Sequence, residues 1–188
     1  DIATGEKRLC INRKQATGIQ FLDDGKTLIG AVNGAIHRWD TTTGKVLTPE
    51  AAADSVVEQI LVTPDGSRVV TRGQDGDGHL WDTSTGKHLR HIPAAWQRGL
   101  AMSPDGKFLV WPVTDASVKY TVPTEQNTTH EGARLNLYDL VQDRLVDRFP
   151  AFKGNAHTCS FAPDGKTLIT VDQVQAIARV WDVEAGKE

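Results

Sequence analysis

An Asp-Gly pair recurs at intervals of 40 to 59 residues along this 188-residue chain, and the repetition constrains the fold more than any other feature. The pairs begin at Asp24, Asp65, Asp105 and Asp164, and these positions give spacings of 41, 40 and 59 residues. A proline precedes three of the four pairs directly, which is typical of a tight turn. A unit that recurs about every 40 residues predicts a fold assembled from small, similar sheets.

A second motif, an aromatic residue followed by Asp, comes after each turn. The turn glycines are Gly25, Gly66, Gly106 and Gly165, and the pairs that follow them are Trp39-Asp40, Trp81-Asp82, Tyr138-Asp139 and Trp181-Asp182. Alternating apolar residues flank each turn, which predicts a β-hairpin, and the aromatic-Asp pair then ends a third strand. Apolar residues around 46–47, 89–92 and 145–149 predict a fourth strand. We therefore predict an all-β chain with negligible helix.

The order of these motifs resembles that of a known family. Ser103-Pro104-Asp105-Gly106-Lys107, the Trp-Asp pairs and the Thr-Gly-Lys at 43–45 and 85–87 are similar to the WD-repeat (WD40) β-propeller family, in a divergent, bacterial-style form. The resemblance covers essentially the whole chain and implies four four-stranded antiparallel blades. It places the repeats at 13–49, 50–93, 94–150 and 151–188, with 1–12 as a closing strand, in one propeller region over 1–188.

Four blades are few for this family, whose rings generally close with about seven or eight blades. Three assemblies stay open: a fragment of a longer propeller, a half-ring that pairs with a second copy into eight blades, and a compact four-bladed ring. If residues 6–12 of one copy complete the last blade of another, a two-fold dimer leaves no sheet edge unpaired.

The family's network of hydrogen bonds between strands is expected to be absent or rebuilt. The family usually places a His ahead of the first strand, but the corresponding positions hold Asn12, Ala53, Pro93 and Phe152. The turn Asp before the third strand survives only as Asp75, and the other repeats hold Asn33, Gly132 and Gln175 there. We therefore expect blades held mainly by apolar packing.

The third repeat is longer than its neighbours, and the excess falls at 113–132. We predict that this insertion is a surface loop outside the blade core. In the family it would open on the face that often binds partners, and long loops are disproportionately functional. The partner-binding candidates on this face are Trp96, Lys119, Tyr120, Glu125 and His130.

Other side chains give weak signals for chemistry. On a regular strand, His88 and His91 would face opposite sides, so the sequence predicts no metal site. Residues 74–78 superficially resemble a calcium loop but hold too few ligands, and a turn accounts for them. Cys10 and Cys159 form no CxxC pair. We predict no catalytic residue and no cofactor.

The sequence favours a non-catalytic scaffold for protein–protein interaction. A self-assembling unit that pairs two half-rings is one alternative, and a ligand-binding or enzymatic propeller using the central channel is another. The net charge of −3 without long like-charge runs argues against nucleic acid and membrane surfaces as partners. The chain shows no signal peptide or apolar spanning segment, so a cytoplasmic location is slightly favoured.

Overall fold

The computed structural model describes residues 16–22, 24–32, 35–47, 57–74, 76–92, 99–121, 129–172 and 175–188. Within these ranges every regular element is a β-strand, and the strands form four antiparallel sheets of three or four strands. The all-β prediction is confirmed. By its contacts the chain divides into two compact units, residues 1–94 and 95–188, and each unit holds two of the sheets.

The first unit holds the first and second sheets. The first sheet joins β1 (Ala16–Phe21), β2 (Thr27–Val32) and β3 (Ala35–Asp40) in chain order. The second sheet joins β4 (Val57–Val62), β5 (Arg68–Gly73), β6 (Gly78–Asp82) and β7 (His88–Ile92), also in chain order.

The second unit holds the third and fourth sheets. The third sheet joins β8 (Ala101–Met102), β9 (Phe108–Thr121), β10 (Thr129–Asp139) and β11 (Arg144–Val146). The fourth sheet joins β12 (Thr158–Phe161), β13 (Thr167–Asp172) and β14 (Ile177–Asp182). Consecutive strands pair in both sheets, so each sheet is a meander closed by short connections.

The predicted Asp-Gly turn joins the first two strands of every sheet. In each turn the glycine amide donates to the carbonyl three residues earlier, at 2.8 to 2.9 Å. The φ angles of Gly25, Gly66, Gly106 and Gly165 are 61°, 67°, 71° and 68°. Residues with a Cβ rarely adopt this left-handed conformation, which explains why glycine recurs at the position.

The first sheet departs from the predicted four strands. In place of an outer strand around residues 46–47 it has a single bridge between Trp39 and Val46, and the amide of Leu47 donates to the carbonyl of Arg38 at 2.8 Å. The side chains of Val46 and Leu47 are exposed, so little apolar burial holds this segment against the sheet. In the fourth sheet, Asp182 and Lys187 form a bridge.

Two faces of each sheet must be distinguished to describe the cores. Successive side chains along a strand point to alternate faces of the sheet. We call the face that holds the aromatic residue of the aromatic-Asp pair the aromatic face. We call the other face of the same sheet the opposite face. In the first unit, Ile29 and Ile36 on the opposite face of the first sheet share a core with Val69 and Trp81 on the aromatic face of the second. The two sheets therefore pack face to face, with the opposite face of the first sheet on the aromatic face of the second.

The second unit repeats this packing. Val110 and Leu137, on the opposite face of the third sheet, share a core with Leu168 and Trp181, on the aromatic face of the fourth. Phe149 from the segment between the two sheets lies in the same core, with its ring 5.9 Å from that of Trp181. The same rule of packing thus holds in both units.

The insertion at 113–132 is not the surface loop that the sequence predicted. Residues up to Thr121 and from Thr129 belong to β9 and β10, which pair as one long hairpin. The alternating burial along β9, with Val113, Asp115 and Val118 half-buried, shows why: the insertion carries its own strand pattern. The described part of the insertion lengthens β9 and β10, the two central strands of the third sheet.

Candidate functional site

The extended hairpin of the third sheet holds three of the five residues that were predicted to bind a partner. Lys119 and Tyr120 lie on β9, His130 lies on β10, and the register pairs Tyr120 with His130. The structure therefore brings these three residues to one end of one hairpin. Trp96 and Glu125 lie outside the described residues.

The three residues are not equally accessible. The Tyr120 side chain is buried, and its ring lies 5.5 Å from the ring of His130. Lys119, the neighbouring residue on the strand, is exposed and pairs with the exposed Glu131. Tyr120 and His130 thus hold the end of the hairpin together, while Lys119 and Glu131 are exposed to solvent.

A bulge joins this end of the hairpin to the rest of the sheet. Gly132 pairs with Asp115, but the preceding residue, Glu131, pairs with Lys119, so three residues of β9 stand outside the ladder. Asp115 accepts hydrogen bonds from the amide of Ser117 and from Arg134 Nε, both at 2.9 Å. The hydrogen bonds from Ser117 and Arg134 lower the pKa of Asp115, which stays charged at the bulge.

Gly132 is needed at the bulge because there is no room for a side chain. A Cβ at this position would lie 2.6 Å from Val118 Cβ and 2.5 Å from the carbonyl oxygen of Phe152. The neighbouring Ala133 exchanges two backbone hydrogen bonds with Phe152, at 3.0 and 2.8 Å. The base of the hairpin is therefore fixed on both sides.

The repeated Asp of each aromatic-Asp pair has a structural role in the following turn. Asp40 accepts the amides of Thr42 and Thr43 at 2.8 and 2.7 Å. Asp139 accepts two turn amides in the same way, and Asp182 accepts the amide of Ala185 at 2.6 Å. In the second sheet, the side chain of Ser84 and then the amide and side chain of Thr85 lower the pKa of Asp82 to about 2.

The aromatic residue of the pair has a buried polar partner in two sheets. Trp81 Nε1 donates to Thr71 Oγ1 at 2.9 Å, and Trp181 Nε1 donates to Thr170 Oγ1 at 3.0 Å. The prediction that the network between strands is absent or rebuilt therefore needs correction, because this Trp–Thr bond recurs intact. The His and turn-Asp positions do not by themselves reveal this bond, because it joins two other positions of the repeat.

In the other two sheets different residues occupy these positions, and the described residues do not form this bond. In the first sheet Gly30 takes the position of the Thr, and Trp39 Nε1 is buried with no acceptor among the described residues. In the third sheet Trp111 takes that position and Tyr138 replaces the Trp, and both are buried. In each of these sheets the aromatic position and the Thr position change residue type together, which keeps the centre of the sheet filled.

The fourth sheet adds a buried ion pair to its Trp–Thr bond. Arg179 Nη1 lies 3.8 Å from Asp172 Oδ2, and the side chains are 9% and 0% exposed. Asp172 also accepts the amides of Asn155 and Gln175 at 2.7 and 3.0 Å, and Arg179 donates to the carbonyl of Lys153 at 2.8 Å. This network fastens the segment before β12 to the sheet.

The second sheet holds a cluster of histidines where the sequence predicted none. The register between β6 and β7 shifts next to Leu80, which makes Leu89 an extra residue and brings His88 and His91 to one side. Both rings lie beside His79, with centroids 5.1 and 5.2 Å away. The expectation that His88 and His91 face opposite sides is therefore wrong, because it assumed a regular strand.

These histidines bond to neighbours. His79 Nδ1 and His88 Nε2 are 3.1 Å apart, and His91 Nε2 lies 3.0 Å from Asp77 Oδ2. Asp77 belongs to the segment that resembled a calcium loop, and Gly76 has a φ of 82°, as a turn requires. In the ranges that the structure describes, no group of three or more His, Cys, Asp or Glu is placed to hold a metal ion.

Cys159 is buried on β12 within the core of the second unit. Burial raises the pKa of its thiol to about 12, and Sγ lies 3.4 Å from the carbonyl oxygens of Gly99 and Val110. A thiol of this kind is an apolar core residue with little nucleophilic character. Cys10 lies outside the described residues.

A cleft of about 430 Å³ lies in the second unit between two Asp-Gly turns. Its lining includes Ser103, Asp105, Arg148, Asp164, Lys166 and Glu184. The sequence did not predict it because its walls come from distant segments.

No helix of the described chain is long and apolar enough to cross a membrane.

Comparison with solved structures shows a propeller-like fold. Hydrazine synthase of Kuenenia stuttgartiensis is similar over 97% of this chain and 50% of its own, with 20% identity and a TM-score of 0.68. The Cps50 (Swd1) β-propeller domain of Myceliophteria thermophila is similar over 89% of this chain and 53% of its own, with 13% identity and a TM-score of 0.66. The chain thus spans about half the length of these two chains.

A third solved structure is similar over nearly its whole length. The computationally designed Ika4 protein is covered to 99% by 96% of this chain, with 16% identity and a TM-score of 0.66. Neither a family model nor a curated protein sequence matches the chain.

Proposed function

We propose that this chain is a non-catalytic scaffold for protein–protein interaction, built from four blades of a WD-type propeller. The propeller-like fold supports the blades, and the Trp–Thr bonds of the second and fourth sheets support the WD character. Partners bind at the extended hairpin of the third sheet, which we call the β9–β10 arm and define as residues 116–121 and 129–131.

The anchoring of the β9–β10 arm is the observation that carries this proposal. The bulge at Gly132 and the Tyr120–His130 contact order the arm before any partner arrives, so binding loses less conformational entropy. Lys119 and Glu131 are exposed on the arm as a pair of opposite charges. Such a rim is suited to a protein surface that offers charges of both signs.

The non-catalytic part of the proposal is supported by the roles of the reactive side chains. The repeated aspartates accept turn amides, the Cys159 thiol is buried in a core, and the histidines of the second sheet bond to one another and to Asp77. Each of these groups has a structural partner where an enzyme would need a substrate.

Trimming the arm tests the proposal. In the trimmed chain, Asn-Gly replaces residues 116–131 and joins the paired residues Asp115 and Gly132 through a two-residue hairpin turn. We expect the fold to remain, because the contacts of Arg134 and Ala133 at the base are kept. Proteins captured from a lysate of the source organism, quantified by mass spectrometry, should be lost from the trimmed chain.

Two point variants separate binding from folding. Lys119→Glu reverses one exposed charge on the arm and should reduce the same captures severalfold, whereas Lys166→Glu reverses an exposed charge on the fourth sheet and should not. Circular dichroism checks that all variants remain folded. If the trimmed chain and Lys119→Glu both retain every partner of the wild type, the arm is not the binding surface.

A further inference from the structure

His79 and His88 lie on neighbouring strands of the second sheet and bring two ring nitrogens together. His79 Nδ1 is 3.1 Å from His88 Nε2. This contact depends on the extra residue in β7, because the register shift beside Leu80 brings His88 to the side that His79 occupies. The outer strand, β7, is therefore joined to β6 through two side chains that each offer a nitrogen lone pair when neutral.

Neighbouring aromatic rings hold both imidazoles in place. The His88 ring meets the ring of Trp81 edge to face, with centroids 4.8 Å apart, and Trp81 is buried in the core of the first unit. The His79 ring lies 6.0 Å from the Trp81 ring and 5.2 Å from the His91 ring. His79 is half-buried and His88 is exposed, so solvent reaches the pair. Rings that are already ordered lose less entropy when they bind a ligand.

Two imidazole nitrogens at this distance suit a divalent transition metal ion. Nitrogens bound at neighbouring positions of one zinc ion, each about 2.0 to 2.1 Å from it, lie roughly 3 Å apart. The separation of His79 Nδ1 and His88 Nε2 is of this size, so small rotations of the rings turn both nitrogens towards one ion. Imidazole is a good ligand for Zn²⁺, Ni²⁺ and Cu²⁺, whereas Mg²⁺ and Ca²⁺ prefer oxygen ligands.

We propose that His79 and His88 form a two-histidine site for a divalent transition metal ion, which fastens the outer strand β7 to β6. The ion replaces the hydrogen bond between the rings, and the proton of that bond moves to the other nitrogen of the ring that donated it, so both imidazoles stay neutral. Among the described residues no third His, Cys, Asp or Glu completes a ligand set, so water fills the remaining positions.

This site is separate from the β9–β10 arm and does not depend on the binding of a protein partner. Its role is structural, because the ion links two strands of one sheet. His91 is not a ligand in this proposal, since its Nε2 lies 3.0 Å from Asp77 Oδ2 and keeps that contact. The ion is held by two protein nitrogens and is therefore exchangeable.

Calorimetry with Zn²⁺ alone tests for the site. The full chain is used without an affinity tag and at pH ~7.5, because metal ligands must be deprotonated. We expect Zn²⁺ to bind, and His79→Gln and His88→Gln should each weaken binding by at least the ~10-fold that loss of an outer-shell partner costs a metal site. Mg²⁺ at the same concentration should give no such signal. Equal affinity in the wild type and both variants would overturn the proposal.

His91→Gln and His157→Gln are the matched controls. His91 pairs with His79 across the strands but is bonded to Asp77, and His157 belongs to the second unit. Both variants should bind Zn²⁺ as the wild type does. If His91→Gln weakens binding as much as His88→Gln, the pair of ligands has been assigned wrongly.

Nuclear magnetic resonance of the imidazole nitrogens identifies the ligand atoms. In an isotope-labelled chain, Zn²⁺ should shift the resonances of His79 Nδ1 and His88 Nε2 as metal-bound nitrogens and leave those of His157 unchanged. Shifts at the other nitrogen of each ring, or only at other histidines, would contradict the site. Circular dichroism checks that the variants fold, and if His79→Gln unfolds, the exposed His88→Gln and the resonance shifts decide the outcome.

Thermal unfolding tests the link between the strands. Zn²⁺ that binds only the folded chain stabilises it, so the unfolding midpoint of the wild type should rise as Zn²⁺ is added. The midpoint of His88→Gln should rise less. An equal rise in the two proteins would show that the stabilising ion binds elsewhere and would overturn the assigned role.

Discussion

The second and fourth sheets share a sequence signature and differ in almost everything placed around it. Both carry a Pro-Asp-Gly turn, a Trp-Asp pair and a Trp–Thr hydrogen bond, of 2.9 and 3.0 Å. Two residues before the Trp, however, the second sheet has His79 and the fourth has Arg179. The centre of each sheet is thus specified by the repeat, whereas its polar surroundings are not.

His79 and Arg179, which occupy the same position of the repeat, form different polar networks. His79 bonds to His88 on an outer strand, in a group of half-buried and exposed imidazoles. Arg179 instead pairs with the buried Asp172. The comparison teaches that the same position of the repeat can hold a half-buried imidazole group or a buried ion pair that fastens the sheet to the segment before it.

The largest effect should come from breaking that ion pair. Arg179→Met leaves the buried Asp172 carboxylate without its cation, and we expect the free energy of unfolding to fall by about 3 kcal/mol. Urea denaturation measures the loss. The control Arg144→Met removes an exposed arginine and should cost little.

A second variant separates charge from packing at this site. Adding Asp172→Asn to Arg179→Met removes the uncompensated charge and should recover part of the lost stability. If the double variant is as unstable as the single one, the loss comes from the packing of Arg179 on Phe152, whose ring centroid lies 5.2 Å from the guanidinium carbon.

The shared Trp–Thr bond should give a smaller and equal effect in the two sheets. Thr71→Val and Thr170→Val keep the shape of the side chain but leave a buried indole N–H without an acceptor, at a cost of about 1.5 kcal/mol each. Thermal and urea unfolding measure both, with the exposed Thr158→Val as control. Unequal losses would show that the bond is not a common element of the two sheets.

The smallest effect concerns the turn aspartates. Asp82 accepts hydrogen bonds from Ser84 and Thr85 side chains, whereas Asp182 is followed by Glu184 and Ala185, which offer no hydroxyl. Asp82→Asn should therefore destabilise the chain more than Asp182→Asn at neutral pH. For an exposed group the difference is about 0.5 kcal/mol after solvent screening.

Acid should remove the contribution of Asp82. Its pKa is about 2 in the folded chain, below the usual value near 3.9, so its stabilisation is complete above pH ~4 and is lost as the pH falls towards 2. The stability difference between wild type and Asp82→Asn, measured by urea unfolding at several pH values, should shrink over this window. A difference that stays constant down to pH 2 would contradict the assigned role.

Much of the fold could be predicted because the signals were local. The turn glycines, the alternation of apolar residues and the aromatic-Asp pairs each act within a few residues, and they indicated hairpins that the structure confirms. The sequence could not show that residues 46–47 form only a bridge in the first sheet, because the exposed Val46 and Leu47 are as apolar as the residues of β7.

The candidate site was predicted in part. Lys119, Tyr120 and His130 were placed in the insertion, but the bulge that orders them depends on Val118 and Phe152 lying against Gly132, which no spacing in the sequence reveals. The grouping of His79, His88 and His91 was missed for a similar reason, since a single extra residue in β7 reverses which side a side chain faces.

The sequence by itself determined the sheets, their turns and the aromatic centre of each, because backbone conformation and side-chain alternation are set by neighbours along the chain. Only the tertiary structure decided which face of each sheet is covered, how Arg179 and Asp172 meet, and that Ile19, Phe21, Ile169 and Val180 are exposed. Burial depends on what packs against a face, and residues from distant segments supply that contact.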